Sequence, residues 1–170
     1  MDKFQVNPNN AVIRWMMQII QHYNHNKYWK YRKIVVSTDI KYPKWIKIFM
    51  LYYIKRCDAY NNASMGTNLN YGAQFKSPPH LPHGLNGIII HPEAVIGGNC
   101  TIYQQVTIAG KNGRSAEIGD NVSIGAGAKI IGNVSIGDNV RIGANAEGVN
   151  DVPSNCTGAG VPARFVSHNT

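Results

Sequence analysis

An aliphatic residue recurs at every sixth position through most of the second half of the chain. The members of this series are Ile90, Ile96, Ile102, Ile108, Ile118, Ile124, Ile130, Ile136 and Ile142. A period of six fits neither an α-helix, which repeats about every 3.6 residues, nor a strand, whose side chains alternate. It is typical of a solenoid in which each six-residue unit supplies one short strand and one turn, and three units close a triangular coil. The sequence therefore predicts a mainly β fold, a parallel β-helix with the isoleucines inside.

A second, smaller apolar residue lies four positions after most leading residues of the repeat. These residues are Ala94, Cys100, Val106, Val122, Ala128, Val134, Val140, Ala146 and Val152. Asn, Asp and Ser fill many of the positions between them, as turns prefer. Cys100 belongs to the inward set and is predicted to be a core residue. The three cysteines of the chain match neither a disulfide framework nor a zinc-binding spacing, which favours a reducing, cytoplasmic compartment.

The repeat is interrupted twice. Its phase extends back through Tyr71 and Met65 to Ala59, but the segment 76–87, KSPPHLPHGLNG, holds one residue too many, with three prolines and two histidines. In the segment 109–117, AGKNGRSAE, four residues must loop out, because the flanking isoleucines are ten residues apart instead of six. The coil needs neither interruption, so we expect functional residues at both.

The first third of the chain differs in composition from the rest. Residues 1–58 hold eleven Lys and Arg against three acidic residues, together with all three tryptophans, whereas residues 59–170 hold six of each charge. Apolar spacing predicts helices over 11–23, 27–36 and from Pro43 to about residue 57. We therefore predict two parts: a basic, aromatic-rich helical region over 1–58 and a β-helix domain with a C-terminal tail over 59–170.

The basic charge of residues 1–58 has two interpretations. It is either the solvated face of helices that cover one end of the coil, or a surface that attracts an anionic partner such as a membrane. No apolar run reaches the 18 residues that suggest a membrane span, and the first ten residues lack a secretory signal pattern. No nucleic-acid recognition motif accompanies the charge. We expect a cytoplasmic protein without nucleic-acid partners, with peripheral association at the inner face of the membrane as the alternative.

Four stretches resemble the hexapeptide-repeat acyltransferases, and in particular the serine acetyltransferase branch with its relatives in polysaccharide pathways. They are LPHGLNGIIIHPEAVIG, NCTIYQQVTIAG, IGAGAKIIGNVSIGDNVRIGANA and GAGVPAR, and the resemblance spans 63–166. It implies a left-handed coil, an exception to the right-handed crossover rule. It also implies a homotrimer with active sites in the grooves between neighbouring subunits, and acetyl-CoA as the co-substrate.

The resemblance assigns roles to two residues at the interruptions. His83 matches the histidine that acts as the catalytic base. An acceptor hydroxyl is a poor nucleophile until a base removes its proton, and histidine is suited to this at neutral pH. Arg114 matches an arginine that holds the acceptor's carboxylate, for which a guanidinium group has the right shape.

Four further residues match positions that bind the coenzyme. Ala126, Ala144 and Gly160 correspond to residues that line the pantetheine groove, where small side chains let the extended chain lie on the backbone. Arg164 corresponds to a residue near the nucleotide end, where a guanidinium group suits a phosphate. The two alanines also satisfy the packing of the repeat, and both interpretations hold at once.

Two departures from the resemblance bear on the acceptor. Pro82 stands where serine acetyltransferases have an aspartate, and Ser115 stands where they have a second histidine. These departures favour a sugar hydroxyl in surface polysaccharide synthesis as the acceptor, with L-serine as the alternative.

Two classes without acetyl transfer compete with this hypothesis. One is a non-catalytic scaffold. The other is a metal-dependent hydrase, which needs three histidines spread over successive coils. His80, His83 and His91 lie instead in one short segment, so we expect no metal site.

Overall fold

The computed structural model of the protein describes residues 11–148 and 150–167. The described helices are α1 (Ala11–Gln21), α2 (His25–Val36) and α3 (Lys44–Tyr60). The described strands are β1 (Ser64–Met65), β2 (Thr67–Asn68), β3 (Tyr71–Gly72), β4 (Gln74–Phe75), β5 (Ile89–Ile90), β6 (Val95–Ile96), β7 (Thr101–Ile102), β8 (Thr107–Ala109), β9 (Glu117–Ile118), β10 (Ser123–Ile124), β11 (Lys129–Ile131), β12 (Ser135–Ile136), β13 (Arg141–Ile142), β14 (Glu147–Gly148), β15 (Cys156–Ala159) and β16 (Arg164–Ser167). All three predicted helices are present.

The short strands stack into three parallel faces. The first face has the order β1-β5-β8-β11-β14, the second β4-β6-β9-β12 and the third β7-β10-β13-β15, to which β16 adds in antiparallel orientation. Successive strands of the chain visit the second, third and first faces in turn, so that three strands make one coil. The predicted fold class, a left-handed parallel β-helix with a small N-terminal helical region, is confirmed.

The leading isoleucines form the core of the coil. On the first face Ile90, Ile108 and Ile130 are in register, and the other two faces repeat the same arrangement. Every leading isoleucine is at most 3% exposed. Each buried aliphatic side chain of this kind contributes about 1.5–3 kcal/mol. Cys100 is also buried and not in a disulfide, as predicted.

Asparagine side chains stabilise the corner between the second and third faces. Asn99 donates to Asn121 (2.9 Å), Asn121 to Asn139 (3.2 Å) and Asn139 to Asn155 (3.0 Å). All four residues have φ between 55° and 59°. Asparagine tolerates this left-handed conformation better than most residues, so one residue type meets both the turn geometry and the need for a hydrogen-bonded ladder.

The start of the repeat differs from the prediction. Met65 stacks on Ile90 of the next coil, but Ala59 belongs to α3, and Tyr71 lies exposed in the antiparallel pair β2–β3. The predicted leading positions at Ala59 and Tyr71 are therefore wrong. The physical reason is that the chain leaves the coil after Met65 to form a hairpin, so the next inward position is Phe75, which pairs with Ile96 and lies ten residues after Met65 instead of six. The domain boundary after residue 58 stays a prediction; α3 runs two residues past it.

Buried polar groups join the helices to the first coil. Arg32 of α2 is 4% exposed, and its guanidinium donates to Thr67 Oγ1 (3.0 Å) and to the carbonyl oxygens of Met65 (3.0 Å) and Ala73 (2.6 Å). Tyr28 donates to Asp58 Oδ1 at 2.7 Å, and burial raises the pKa of Asp58 to about 6. The helices thus cap the coil through specific hydrogen bonds as well as apolar contact.

Candidate functional site

The His83 segment forms a loop at the corner between the third and first faces. His80 pairs with Thr101, which puts Leu81 in register with Ile102, yet Leu81 and Ile90 are nine residues apart instead of six. The insertion at this corner is therefore three residues, larger than the single extra residue counted from the sequence. His83 is exposed. Its ring centroid lies 6.2 Å from that of Tyr103 on the next coil.

Small residues continue this corner below the His83 loop. The backbone N–H of Gly127 donates to the carbonyl of Gln104 (2.9 Å), and that of Asn145 donates to the carbonyl of Ala126 (2.8 Å). The register therefore aligns one residue from each coil. Together with Gly160, which the pairing of β13 with β15 brings into the same register, these residues form the corner column Gln104, Ala126, Ala144 and Gly160. All three small residues predicted to bind coenzyme belong to this column, and His83 lies at its head, near Tyr103.

The glycine next to the column, Gly125, is needed for packing between coils. A Cβ atom on Gly125, which precedes Ala126, would lie 2.6 Å from the backbone nitrogen of Ala144. Such a contact is too short for the backbone to accommodate. Ala126 is half-buried and Ala144 is exposed, so their methyl groups contribute little bulk to the outer surface of the corner. The column is thus a flat strip of backbone of the kind an extended pantetheine chain can contact.

Arg164 lies at the end of the column away from His83. It is the first residue of β16 and pairs with Ala159 of β15. The turn between the two strands begins at Gly160, whose φ is +93°. Arg164 is exposed. The four residues predicted to bind coenzyme therefore form one continuous surface.

Arg114 lies on a different corner of the coil. The loop between β8 and β9 joins the first face to the second, and it is closed by backbone hydrogen bonds between Lys111 and Arg114 (2.8 and 3.1 Å). The Arg114 side chain is exposed and lines a depression with Lys111, Asn112 and Asn133. Within one chain the structure does not bring Arg114 to the corner that carries His83.

Ser115, the other departure in this loop, faces inward. It is 4% exposed, and its hydroxyl has no hydrogen-bond partner among the described residues. Position 115 therefore does not present a polar side chain to the same surface as Arg114.

A cavity of about 540 Å³ adjoins the His83 loop on its helical side. It is lined by Ile13, Met17, Gln18, Gln21, Tyr23, His25, His80, Leu81, Pro82 and Gly84. Among the side chains that the structure describes, the lining contains no Lys, Arg, Asp or Glu. Burial and the neighbouring His80 lower the pKa of His25, whose Nδ1 is hydrogen bonded to the Tyr23 hydroxyl at 2.8 Å.

Three features of this site were missed in the sequence. The cavity lies between α1 and a segment about 60 residues later in the chain, and no local sequence pattern predicts such a contact. Tyr103 and Gln104 looked like ordinary corner residues of the repeat. The Oε1 atom of Gln104 is buried and has no hydrogen-bond partner among the described residues. The signal that could have found both residues is their position opposite the interruption at 76–87.

The residues described contain no group of three or more His, Cys, Asp and Glu side chains placed to hold a metal ion. His91, one of the three histidines near the first interruption, accepts a hydrogen bond from the backbone N–H of Glu93 at 3.2 Å. It therefore has a local role in its own turn.

Comparison with known proteins agrees with the architecture. The model of the family "Bacterial transferase hexapeptide (six repeats)" matches residues 115–147. A serine acetyltransferase of Synechococcus elongatus is 41% identical over 105 residues, which cover 59% of this chain and 43% of that protein. A serine acetyltransferase of Staphylococcus xylosus is 43% identical over 108 residues, 61% of this chain and 50% of that protein. The chain is therefore similar to serine acetyltransferases over its hexapeptide-repeat region.

Solved structures support the same resemblance. Serine acetyltransferase from Neisseria gonorrhoeae in complex with serine is 33% identical, with a TM-score of 0.62 over 72% of this chain and 49% of that one. Serine acetyltransferase from Brucella abortus in complex with coenzyme A is 26% identical, with a TM-score of 0.64 over 91% of this chain and 56% of that one. The chain spans about half the length of these relatives.

Proposed function

We propose that this chain transfers an acetyl group from acetyl-CoA to the hydroxyl of an acceptor. The observation that carries the proposal is the position of His83 at the head of the column that contains Ala126, Ala144 and Gly160. A pantetheine chain lying along that column, with a nucleotide phosphate near Arg164, would bring its thioester close to the imidazole. Related serine acetyltransferases are known in complex with coenzyme A, which supports acetyl-CoA as the co-substrate.

The chemistry follows from that placement. His83 removes the proton of the acceptor hydroxyl as its oxygen attacks the carbonyl carbon of the thioester. The tetrahedral intermediate collapses, the carbon–sulfur bond breaks, and the imidazolium returns the proton to the departing thiolate. The products are the O-acetylated acceptor and free coenzyme A. No acyl-enzyme is required, because both substrates can meet at the same corner.

L-serine is the acceptor that the similarity to serine acetyltransferases supports, in preference to the sugar hydroxyl expected from the sequence. A sugar hydroxyl is the second candidate, on the specific observation that the described side chains lining the cavity beside Pro82 are apolar, aromatic, amide and imidazole groups. A zwitterionic amino acid needs charged partners, whereas a polyhydroxyl ligand can be bound by amides and apolar surfaces.

We further propose that the active site is shared between copies in a homotrimer. Arg114 and His83 lie on different corners of one chain, so a single copy cannot direct both side chains at one acceptor. Neighbouring coils packed side by side, corner to corner, would bring Arg114 of one copy near His83 of the next. A closed, heterologous ring of three copies has this geometry.

The choice of acceptor is tested by thiol release from acetyl-CoA. We expect release to rise well above the rate with acetyl-CoA alone when L-serine is added, and not when L-alanine, which lacks the hydroxyl, is added. Release with monosaccharides or nucleotide sugars but not with L-serine would select the second candidate. If no hydroxyl compound raised thiol release and coenzyme A did not bind, the proposal of acetyl transfer itself would be wrong.

A shared active site is tested by mixing two defective variants. His83→Ala and Arg114→Ala should each be impaired when purified alone. Random co-assembly should restore about a quarter of wild-type activity, since about one site in four then combines an intact His83 with an intact Arg114. The control is the double variant His83→Ala/Arg114→Ala taken through the same mixing procedure, which should recover no activity. Activity of the mixture equal to the average of the two single variants would contradict the shared site.

A further inference from the structure

Large apolar side chains cover the outward face of α3. Trp45, Ile48, Phe49 and Tyr52 are 72%, 49%, 67% and 64% exposed. Their spacing of three, four and seven residues places them on one side of the helix, which we call the α3 face. The opposite side of α3, with Ile54, Cys57 and Asp58, is buried against α2 and the first coil. The fold is therefore satisfied without the α3 face, and none of its four residues is needed for the core.

Cations surround the α3 face. Lys41, Lys44, Lys55 and Arg56 are exposed at the two ends of the helix and along its flank. Among the described residues 11–60, the acidic side chains are Asp39, which is exposed, and Asp58, which is buried under Tyr28. The α3 face therefore combines an apolar stripe with a basic border and has little acidic charge nearby. It is complementary to a surface that has an apolar interior under a negatively charged outer layer.

We propose that the α3 face binds an anionic lipid bilayer, with α3 lying in the plane of the interface. Trp45 and Tyr52 have rings that favour the boundary between headgroups and acyl chains, and Ile48 and Phe49 lie between them on the same side. No described helix is long and apolar enough to cross a membrane, so contact of this kind is confined to the surface. Pairing of the α3 faces of two copies is less suitable, because it would oppose the two sets of lysines.

The test is co-sedimentation of the full chain with vesicles of phosphatidylcholine alone or mixed with phosphatidylglycerol. The wild-type chain should sediment with the mixed vesicles, less so at high salt, and remain in solution with phosphatidylcholine alone. Trp45→Ser combined with Phe49→Ser should weaken binding by about tenfold or more through loss of apolar burial. Lys44→Gln and Lys55→Gln should each weaken it by about fivefold.

The matched control is Val166→Ser, which removes an exposed apolar side chain of similar accessibility from the far end of the coil and should leave binding unchanged. Melting temperatures of all variants should stay close to wild type, because every substituted side chain is exposed. Binding that survives the double substitution overturns the proposal. The proposal is also overturned if the wild-type chain does not bind anionic vesicles. In that case, an assembly seen by sedimentation velocity and lost on the double substitution would show that the α3 face binds another copy of the chain. Acetyl transfer in solution is independent of each of these results.

Discussion

Replacing His83 by alanine is expected to lower kcat for acetyl transfer by about 10²–10⁴-fold, the range typical for loss of a general base. The acceptor hydroxyl would then have to lose its proton to water during attack on the thioester. The side chain is exposed, so the melting temperature should not change. Steady-state thiol release gives kcat, and KM for acetyl-CoA should stay within a few-fold of wild type, because the proposed coenzyme contacts are made by Ala126, Ala144, Gly160 and Arg164 and not by the imidazole.

The matched control for His83 is His91→Gln. His91 lies in the same region of the chain and is engaged with its own turn through Glu93. We expect that substitution to leave kcat within a few-fold of wild type. A loss below tenfold in His83→Ala, or an equal loss in both variants, would contradict the role of His83 as the base. If the wild-type chain itself showed no acetyl transfer, the result would favour the scaffold hypothesis.

Replacing Arg32 by alanine is expected to destabilise the protein by about 3–5 kcal/mol. The substitution leaves the buried carbonyl oxygen of Ala73 without its side-chain donor and that of Met65 with only the longer bond from Thr67 Oγ1 (3.4 Å). It also removes the guanidinium from the ring of Phe75, whose centroid is 4.5 Å away. Burial lowers the pKa of Arg32 to about 10, so the side chain is still charged at neutral pH. Urea denaturation, followed by the intrinsic tryptophan fluorescence, measures the loss.

Two variants define the cause of this destabilisation. Lys33→Ala removes an exposed cation from the neighbouring position of α2, and its effect should stay within about 0.5 kcal/mol. Arg32→Lys retains the charge and three N–H donors, but these lie on a single nitrogen and cannot match the acceptors that Nε and Nη2 of arginine contact, so it should recover only part of the loss. Equal stability of Arg32→Ala and wild type would show that the Arg32 hydrogen bonds do not help to attach the helices to the coil.

The coil itself was determined by the sequence. An isoleucine at every sixth position can be buried only if each unit contributes one inward side chain per face, and this requirement specifies both the strands and the parallel register. The three helices were likewise recognisable from the spacing of their apolar residues. Once the register is known, Ala126 and Ala144 must align, because they are three six-residue units apart, whereas the alignment of Gly160 follows from the pairing of β13 with β15.

The irregular parts were decided by tertiary structure. The hairpin after Met65 inserts four residues before the next coil position, Phe75, so Tyr71 at the sixth position looked like a core residue and is exposed. Together with the three residues inserted before Ile90 these make seven, one more than a full unit of six, so the count from Tyr71 showed only one extra residue. A periodic count records only the number of residues between two inward positions and cannot tell which of the intervening residues belong to the coil.

Contacts between distant segments also lay beyond the sequence. The burial of Arg32 depends on carbonyl groups more than thirty residues away, and the cavity beside Pro82 depends on where α1 lies. The apolar face of α3 could be recognised as a stripe, but a stripe does not say whether it meets a neighbour or solvent. Local patterns fix what each element needs, whereas the packing of one element on another decides which of those needs are met inside the chain and which are left for a partner.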